Sequence, residues 1–349
     1  SFPTKSKIKP YEVPSLLINI MADAFLALET GDVLKARSRS PGLARGELVF
    51  TTSYAGYEES LTDPSYEEQI LTFSYPLIGN YGVNPNRFES SRIHPRAIIA
   101  RQLTDSISGW LSKESIPAID TLDTRELVIA IRDHGAMKCG ISSGKNATPE
   151  SAIEELEHCP SMDDHSNIGS FVSVKKPVIH PGTGPHVCLI DCGVKKSIID
   201  SFLKRNVHLT ILPYDTTIMT VIDTNPDLLF ISNGPGNPKH FTAAISLVNE
   251  LSGKIPIAGI CLGQQIIALA LGGKTEKMRF GHRGVNQPVL DLLTNKVVIT
   301  TQNHGYSVSD PGELIVSQLN VNDDTIEGLE NSNLSILTRQ YHPEAHPGP

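Results

Sequence analysis

From residue 186 to residue 260 the sequence alternates short apolar runs with segments of helical character, and this alternation constrains the fold most. The apolar runs are hydrophobic along their whole length, which is typical of parallel strands that are covered on both faces. Sheets of this kind bind ligands where their strands end, at the carboxyl edge. We predict strands at 187–191, 208–212, 227–232 and 255–260, with helices at 196–205 and 241–251.

The front half of the chain has a different pattern. Thr30-Gly31-Asp32 separates two runs in the manner of a hairpin, and a proline- and glycine-rich stretch lies near residue 180. We predict strands at 24–29, 33–37, 48–52 and 69–73, and helices at 125–134 and 151–158. The fold class that follows is α/β, with an N-terminal mixed β/α domain and a C-terminal doubly wound, mostly parallel sheet. The predicted limits are an extension at 1–20, a first domain at 21–174, a linker at 175–185 and a second domain at 186–349.

The segment around Cys261 predicts a nucleophile. A short apolar run ends in Gly259-Ile260-Cys261-Leu262-Gly263, and a helical run follows at 264–271. Small residues on both sides of a nucleophile allow a sharp strand-to-helix turn. The N-terminus of the following helix favours a thiolate over a thiol. A thiolate at this position indicates acyl transfer through a thioester.

The end of the chain supplies a candidate base for this nucleophile. A predicted strand at 334–341 runs into His342-Pro343-Glu344. The reference pKa of histidine, about 6.5, suits proton transfer near neutral pH. Glu344 can accept a hydrogen bond from the imidazole and fix its tautomer, which is the role of the third member of a catalytic triad.

A rigid loop follows the predicted strand at 227–232. Its sequence is Asn233-Gly234-Pro235-Gly236, in which glycine allows close approach to a ligand and proline stiffens the backbone. We predict that the backbone N–H groups of Gly234 and Leu262 form an oxyanion hole.

These three motifs resemble the signatures of class I glutamine amidotransferases. Further segments resemble the family of small, glutamine-hydrolysing subunits of carbamoyl-phosphate synthetase, and the resemblance extends from about residue 25 to residue 349. General amidotransferases lack the front half, so the combination is specific. The segments that carry this second resemblance are 52–57, 61–66, 75–82 and 302–306.

The resemblance implies roles for the matching residues. Cys261 would be the nucleophile, His342 and Glu344 would complete the triad, and L-glutamine would be the substrate. Many members have histidine where this chain has Gln264, but that position is outside the triad, so we expect activity to survive. The glutamine contacts implied are Ser53, Gly234, Gly236, Leu262, Gln265, Asn303, Gly305 and Tyr306.

The resemblance also implies a partner. Ammonia would pass to a large subunit that uses ATP, and ATP and Mg²⁺ would bind there, so no cofactor is expected in this chain. Neither a P-loop nor a dinucleotide-binding glycine pattern is present, which agrees with this expectation. The family normally continues into a final helix after the position of residue 349, and the sequence leaves open whether the C-terminus is complete.

Composition argues against several other functions. The net charge of −8 argues against a nucleic-acid partner, which would require a basic face. No apolar run is long enough for a membrane span. The five cysteines show no paired spacing, so we predict reduced thiols, no metal site and a cytoplasmic location.

Two alternatives remain open at this point. A glutaminase subunit of another synthetase, for anthranilate or GMP, would not need the front domain. A catalytically silent docking or regulatory subunit would not need an intact set of Cys261, His342 and Glu344. The pathway also remains open between pyrimidine and arginine synthesis.

Overall fold

The computed structural model describes residues 23–345, and these residues form two compact units. The first unit contains residues 23–61, 68–86 and 92–161, whereas the second contains 62–67, 87–91 and 162–345. Two short segments of the front half therefore belong to the second unit. The domain limits predicted from the sequence differ from this division and stay a prediction, and the predicted extension at 1–20 lies outside the described residues.

The first unit is built on a closed barrel with the strand order β1-β2-β8-β6-β4-β3-β9. The predicted hairpin is confirmed, because β1 and β2 pair antiparallel and Ala27 lies opposite Val33. The barrel also contains parallel pairs, including β3 with β4. The strands of the front half are β1 Ala24–Leu28, β2 Val33–Ser40, β3 Gly42–Thr51, β4 Gln69–Phe73, β5 Leu77–Ile78, β6 Ala97–Ile99, β7 Gln102–Leu103, β8 Ala118–Asp120 and β9 Met137–Ser143.

The helices of the front half begin at residues that cap them. The carboxylate of Asp123 accepts hydrogen bonds from two backbone N–H groups at the start of the helix Thr124–His134, and this helix confirms the one predicted at 125–134. Helix α4 begins two residues before its predicted start, because Thr148 and Ser151 form a capping box ahead of it. The helices are α1 Tyr57–Thr62, α2 Asp105–Lys113, α3 Thr124–His134 and α4 Pro149–Glu157.

The second unit contains a ten-stranded sheet with the order β10-β12-β11-β13-β14-β19-β18-β17-β15-β16. Its strands are β10 Val178–His180, β11 His186–Asp191, β12 His208–Pro213, β13 Leu228–Ile231, β14 Ile257–Ile260, β15 Lys274–Asp291, β16 Lys296–Asp310, β17 Ile315–Asn320, β18 Ile326–Asn331 and β19 Ile336–Arg339. Its helices are α5 Gly169–Val172, α6 Lys196–Leu203, α7 Ile218–Asp223, α8 Thr242–Leu251 and α9 Leu262–Ala270.

The parallel part of this sheet comprises five neighbouring strands, in the order β12, β11, β13, β14 and β19. It confirms the predicted α/β core. The antiparallel extension formed by β18, β17, β15 and β16 was not predicted from the sequence. Strand β10 lies inside the predicted linker at 175–185 and pairs antiparallel with β12. A strand at the edge of a sheet tolerates neighbouring prolines, which explains why a proline-rich stretch contributes one.

The core that positions the site lies between the parallel strands and helices α8 and α9. Ile231 and Ile257 from the strands pack in one buried cluster with Leu247 of α8 and with Ile266 and Ile267 of α9. This packing holds the N-terminus of α9 at the carboxyl edge of the sheet. In residues 23–345, every helix is either too short or too polar to cross a membrane.

Candidate active site

Cys261 lies at a sharp turn between β14 and α9. Its backbone has φ +56° and ψ −108°, a conformation that L-residues rarely adopt. A Cβ atom at Gly263 would lie 2.1 Å from the carbonyl oxygen of Ile231, and one at Gly259 would lie 2.7 Å from Cδ1 of Ile267. The turn therefore requires glycine on both sides of the cysteine, as the motif predicts.

The structure brings His342 and Glu344 to this turn. Strands β14 and β19 are parallel neighbours, so His342, just after β19, lies at the same edge as Cys261. Nδ1 of His342 is 2.7 Å from Oε1 of Glu344. The Cys261 thiol donates toward the carbonyl oxygen of Asn303 at 3.7 Å, and its interaction with the ring is one of the causes that raise the pKa of His342. The three predicted triad residues thus form one buried group, and their catalytic roles stay a prediction.

Charge at this group differs from the sequence-based expectation. Burial lowers the pKa of His342, but attraction to the Glu344 carboxylate outweighs burial and raises the pKa from 6.5 to about 10. Burial also acts to raise the pKa of Glu344, but Lys195 and His342 together hold it well below its ordinary value. At neutral pH the ring is therefore an imidazolium that donates its Nδ1–H to an ionised carboxylate.

Lys195 is a part of this site that the sequence-based prediction missed. Its Nζ atom is 3.0 Å from Oε1 of Glu344 and 3.7 Å from Oε1 of Glu89. Only 5% of the residue is exposed, and burial by itself would lower its pKa, but the surrounding carboxylates raise it. One signal was available in the sequence: Lys195 stands between a predicted strand and a predicted helix, as Cys261 does.

The predicted oxyanion loop packs against the turn that follows β14. A Cβ atom at Gly234 would lie 2.0 Å from the carbonyl oxygen of Cys192 and 2.9 Å from Cδ2 of Leu262. Gly236 has φ +83°, and its Cβ would lie 2.8 Å from Cγ2 of Ile168. The structure therefore brings Gly234 and Leu262 together and requires glycine in the loop. Their role as oxyanion donors stays a prediction.

Three of the predicted glutamine contacts, Asn303, Gly305 and Tyr306, lie on β16, and a fourth, Gln265, lies on α9. The Gln265 side chain donates to the carbonyl oxygen of Tyr306 at 2.7 Å and to Oε1 of Gln340 at 3.1 Å. These bonds fix the strand that carries Asn303, whose carbonyl oxygen faces the thiol. The arrangement forms one wall around the sulfur of Cys261.

Ser53 and Gln264 have different surroundings. Ser53 follows β3 in the first unit, where its Oγ is 3.1 Å from the hydroxyl of Thr51, and its role in glutamine binding stays a prediction. The side-chain amide of Gln264 is buried, donates to the carbonyl oxygen of Ile326 and accepts from the hydroxyl of Thr338. Gln264 therefore ties α9 to β18 and β19, which is a structural task.

One group of buried residues has donors for a metal ion. The ligand atoms of His282, His304 and Glu327, on three strands of the antiparallel extension, lie within 4.8 Å of one another. Nδ1 of His304 donates to the carbonyl oxygen of Tyr306, and burial lowers the pKa of this ring. Burial also lowers the pKa of His282, but Glu327 and Asp323 outweigh it and raise the pKa. Glu327 and Asp323 therefore favour the protonated form of His282 over the neutral form that binds a metal ion. The sequence offers no local spacing that would have indicated this group.

The parallel sheet, the strained cysteine and the paired histidine and glutamate define a class of protein, and family models agree with it. The model described as glutamine amidotransferase class-I matches residues 188–349, and the model for the carbamoyl-phosphate synthase small chain, CPSase domain, matches residues 26–141. The second unit is thus a class I glutamine amidotransferase domain, as the motifs predicted.

Comparison with curated proteins defines the family more closely. A carbamoyl phosphate synthase small chain from Halobacterium salinarum is 60% identical over 329 residues, covering 94% of this chain and 93% of that protein. One from Methanosarcina mazei is 44% identical over 349 residues, with 93% and 94% covered. Among solved structures, a glutamine amidotransferase from Thermotoga maritima is 18% identical, covers 46% of this chain and 76% of its own, and gives a TM-score of 0.39. The chain belongs to the family of carbamoyl phosphate synthase small chains.

Proposed function

We propose that this chain hydrolyses L-glutamine to L-glutamate and ammonia, and that the ammonia serves carbamoyl phosphate synthesis in a complex with a large ATP-using chain. The observation that carries the proposal is the buried group of Cys261, His342 and Glu344 at the carboxyl edge of the sheet. A sulfur held at a strained turn beside an imidazolium is suited to attack an amide carbon.

The chemistry proceeds in two halves. The cycle starts from the Cys261 thiolate beside the His342 imidazolium. The thiolate attacks the side-chain amide carbon of glutamine, and the resulting oxyanion faces the N–H groups of Gly234 and Leu262. His342 gives its proton to the amide nitrogen, the carbon–nitrogen bond breaks, and ammonia leaves. Water then attacks the thioester while His342 takes the proton from that water, which releases glutamate and restores the thiolate.

The raised pKa of His342 supports its role in the first half of this reaction. A ring that holds its proton at neutral pH can deliver the proton to the leaving nitrogen and can stabilise a neighbouring thiolate. Glu344 fixes the tautomer by accepting the Nδ1–H, which leaves Nε2 as the atom that exchanges protons with substrate and water.

The match of the front half to the small-chain domain supports carbamoyl phosphate as the product of the complex, in preference to anthranilate or GMP. Ammonia released into water would be protonated and would lose its nucleophilicity, so direct transfer to the partner chain follows from the chemistry. ATP and Mg²⁺ would then bind to the partner, no cofactor would be needed here, and the complex would work in the cytoplasm.

The test removes the nucleophile. We expect Cys261→Ser to abolish glutamine hydrolysis, while the complex with the large chain still makes carbamoyl phosphate from added ammonia. Cys159→Ser is a matched control, because Cys159 lies in the first unit and contacts the carbonyl oxygen of Pro160. Undiminished glutamine hydrolysis by Cys261→Ser would contradict the proposal.

A second measurement separates a glutaminase from a silent docking subunit. A chloroketone analogue of glutamine should label Cys261 at one equivalent per chain, as shown by peptide mass, and glutamine should protect the thiol. A docking subunit with no glutamine site would give slow labelling that glutamine does not change.

A further inference from the structure

Two short segments of the front half, residues 62–67 and 87–91, belong to the second unit, and we call them together the clasp. They are tied to each other. The hydroxyl of Thr62 accepts a hydrogen bond from the Glu89 N–H at 2.8 Å, and the hydroxyl of Ser90 donates to the carbonyl oxygen of Thr62 at 2.7 Å. The clasp is therefore a single local structure, although residues 68–86, which separate its two segments in the chain, belong to the first unit.

Asp63 connects the clasp to the strand beside the thiol. Its Oδ1 accepts the N–H of Ser65 at 2.9 Å, and its Oδ2 accepts Nδ2 of Asn303 at 2.9 Å. Both carboxylate oxygens are thus used, and only 5% of the residue is exposed. This contact fixes the orientation of the side-chain amide of Asn303, because its NH2 group faces Asp63. The backbone carbonyl oxygen of the same residue faces the sulfur of Cys261.

Ser65 connects the clasp to the predicted oxyanion loop. Its Oγ accepts Nδ2 of Asn233 at 3.1 Å, while Oδ1 of that asparagine accepts the backbone N–H of Lys195 at 3.2 Å. Asn233 is fully buried and immediately precedes Gly234. Buried amides are costly to leave unpaired, so Ser65 restricts the position of the loop.

Glu89 connects the clasp to the charges behind the histidine. Its Oε2 accepts the N–H of Ser197 and its carbonyl oxygen accepts the N–H of Lys196, both at the start of α6. Its other oxygen lies 3.7 Å from Nζ of Lys195, the cation that pairs with Glu344. The carboxylate therefore satisfies the helix N-terminus and orients the lysine at once.

We propose that the clasp is the positioning element of the glutaminase site, in which Asp63, Ser65 and Glu89 are positioning residues. They act through Asn303, Asn233 and Lys195 respectively, and each of these three is buried or faces the reacting group. This inference rests on the proposed function. It gives a segment of the front half a task in glutamine hydrolysis that is separate from the motifs of the amidotransferase domain.

The main test is Asp63→Asn in the full chain. In asparagine an NH2 donor replaces one of the two carboxylate oxygens, so the side chain cannot accept at both the position of Oδ1 and the position of Oδ2. We expect the KM for glutamine to rise about tenfold, the size expected for a lost hydrogen bond to a charged acceptor, with a smaller change in kcat. Asp105→Asn is the control, because it removes a fully exposed carboxylate from the front half. Equal KM values for both variants would overturn the proposal.

A double-mutant cycle with Asn303→Ala distinguishes positioning from a general loss of stability. If Asp63 acts through Asn303, adding Asp63→Asn to Asn303→Ala leaves the KM of the single Asn303 variant unchanged. If the two increases multiply, Asp63 does not act through this asparagine and the inference fails.

Ser65→Ala is a second variant that keeps the Asp63 carboxylate and its cap. Because Ser65 holds the loop that precedes Gly234, we expect a fall in kcat of about threefold to tenfold with little change in KM. A kcat equal to that of the wild type would show that Ser65 is not a positioning residue. If the wild-type chain neither hydrolyses glutamine nor reacts with the chloroketone, the proposed function itself fails. If the wild-type chain does both and the variants match their control, only the proposed positioning role of the clasp is wrong.

Discussion

The thiol side and the base side of the site are held in place by different means. Cys261 is positioned by backbone geometry, through a left-handed φ, two glycines without room for a Cβ atom and a hydrogen bond from its N–H to the carbonyl oxygen of Arg339 at 2.8 Å. His342 is positioned by buried charge, through Glu344 and the lysine behind it.

This difference shows how the two sides depend on the chain. The elbow is made within one short continuous segment, because a strand, a turn and a helix suffice to build it. The charges come from distant segments, since Glu89, Lys195 and Glu344 meet only after the sheet has formed. We therefore expect the thiol side to fail through steric changes and the base side to fail through changes in charge and pH.

Among the variants that keep Cys261, Gly263→Ala is expected to cause the largest loss of activity, because it displaces the thiol side of the site. The added Cβ would lie 2.1 Å from the carbonyl oxygen of Ile231, so the turn must move. A displacement of about 1 Å at a reacting group costs about 100-fold in rate. Glutaminase kcat and the thermal midpoint should both fall. Gly109→Ala on α2, where no atom lies within 4 Å of the new Cβ, should leave kcat unchanged and should not lower the thermal midpoint, because alanine is the better helix former. If Gly263→Ala and Gly109→Ala give the same kcat and the same thermal midpoint, the hypothesis that steric contacts position the thiol is wrong.

Lys195→Met is expected to break the base side. It leaves Glu344 and Glu89 buried without their cation, and removing one partner of a buried pair costs about 3–5 kcal/mol of the free energy of unfolding. Urea unfolding at pH 7 measures this loss. Lys254→Met is the control, because its side chain is 65% exposed and its ammonium lies 4.0 Å from Glu250.

The pH dependence of Lys195→Met gives a second check. The lowered pKa of Glu344 means that its ionised form stabilises the wild-type fold above the ordinary value of 4.5, and that this stabilisation is lost as pH falls. Without the lysine the pKa of Glu344 rises, so the variant gains relative stability when the carboxyl is protonated. The deficit in unfolding free energy should therefore be smaller at pH 4 than at pH 7. A deficit that is constant across this range would show that charge is not the cause.

Tyr306→Phe is expected to have the smallest effect of these variants, and it tests a contact on the thiol side of the site. The phenol donates to Oδ1 of Asp163 at 2.6 Å, and the same oxygen accepts Nδ2 of Asn237 at 2.8 Å. These hydrogen bonds lower the pKa of Asp163 and connect β16 to the loop after β13. Because Asp163 is exposed, we expect KM to rise by only about two- to fivefold, measured against Tyr75→Phe. A change in kcat alone would place this contact in the chemical step instead.

The sequence predicts most of the strand-and-helix core, because its apolar runs are continuous and its helices are capped by residues such as Asp123. It does not predict the antiparallel extension. Strands β15 and β16 carry polar residues such as Gln302 and His304 in buried positions, so their pattern lacks the alternation that marks a half-buried strand. Asn303 and Tyr306, which lie at the site, are on the same strand as these buried polar residues.

The sequence by itself determined the elbow at Cys261, the order of the motifs and the family, because each motif is a short continuous segment of the chain. Only the tertiary structure decided that His342 is protonated at neutral pH, that Lys195 stands behind Glu344, and that residues 62–67 and 87–91 belong to the second unit. The physical reason is that pKa values and buried ion pairs depend on distance and burial in space, which a linear pattern does not contain.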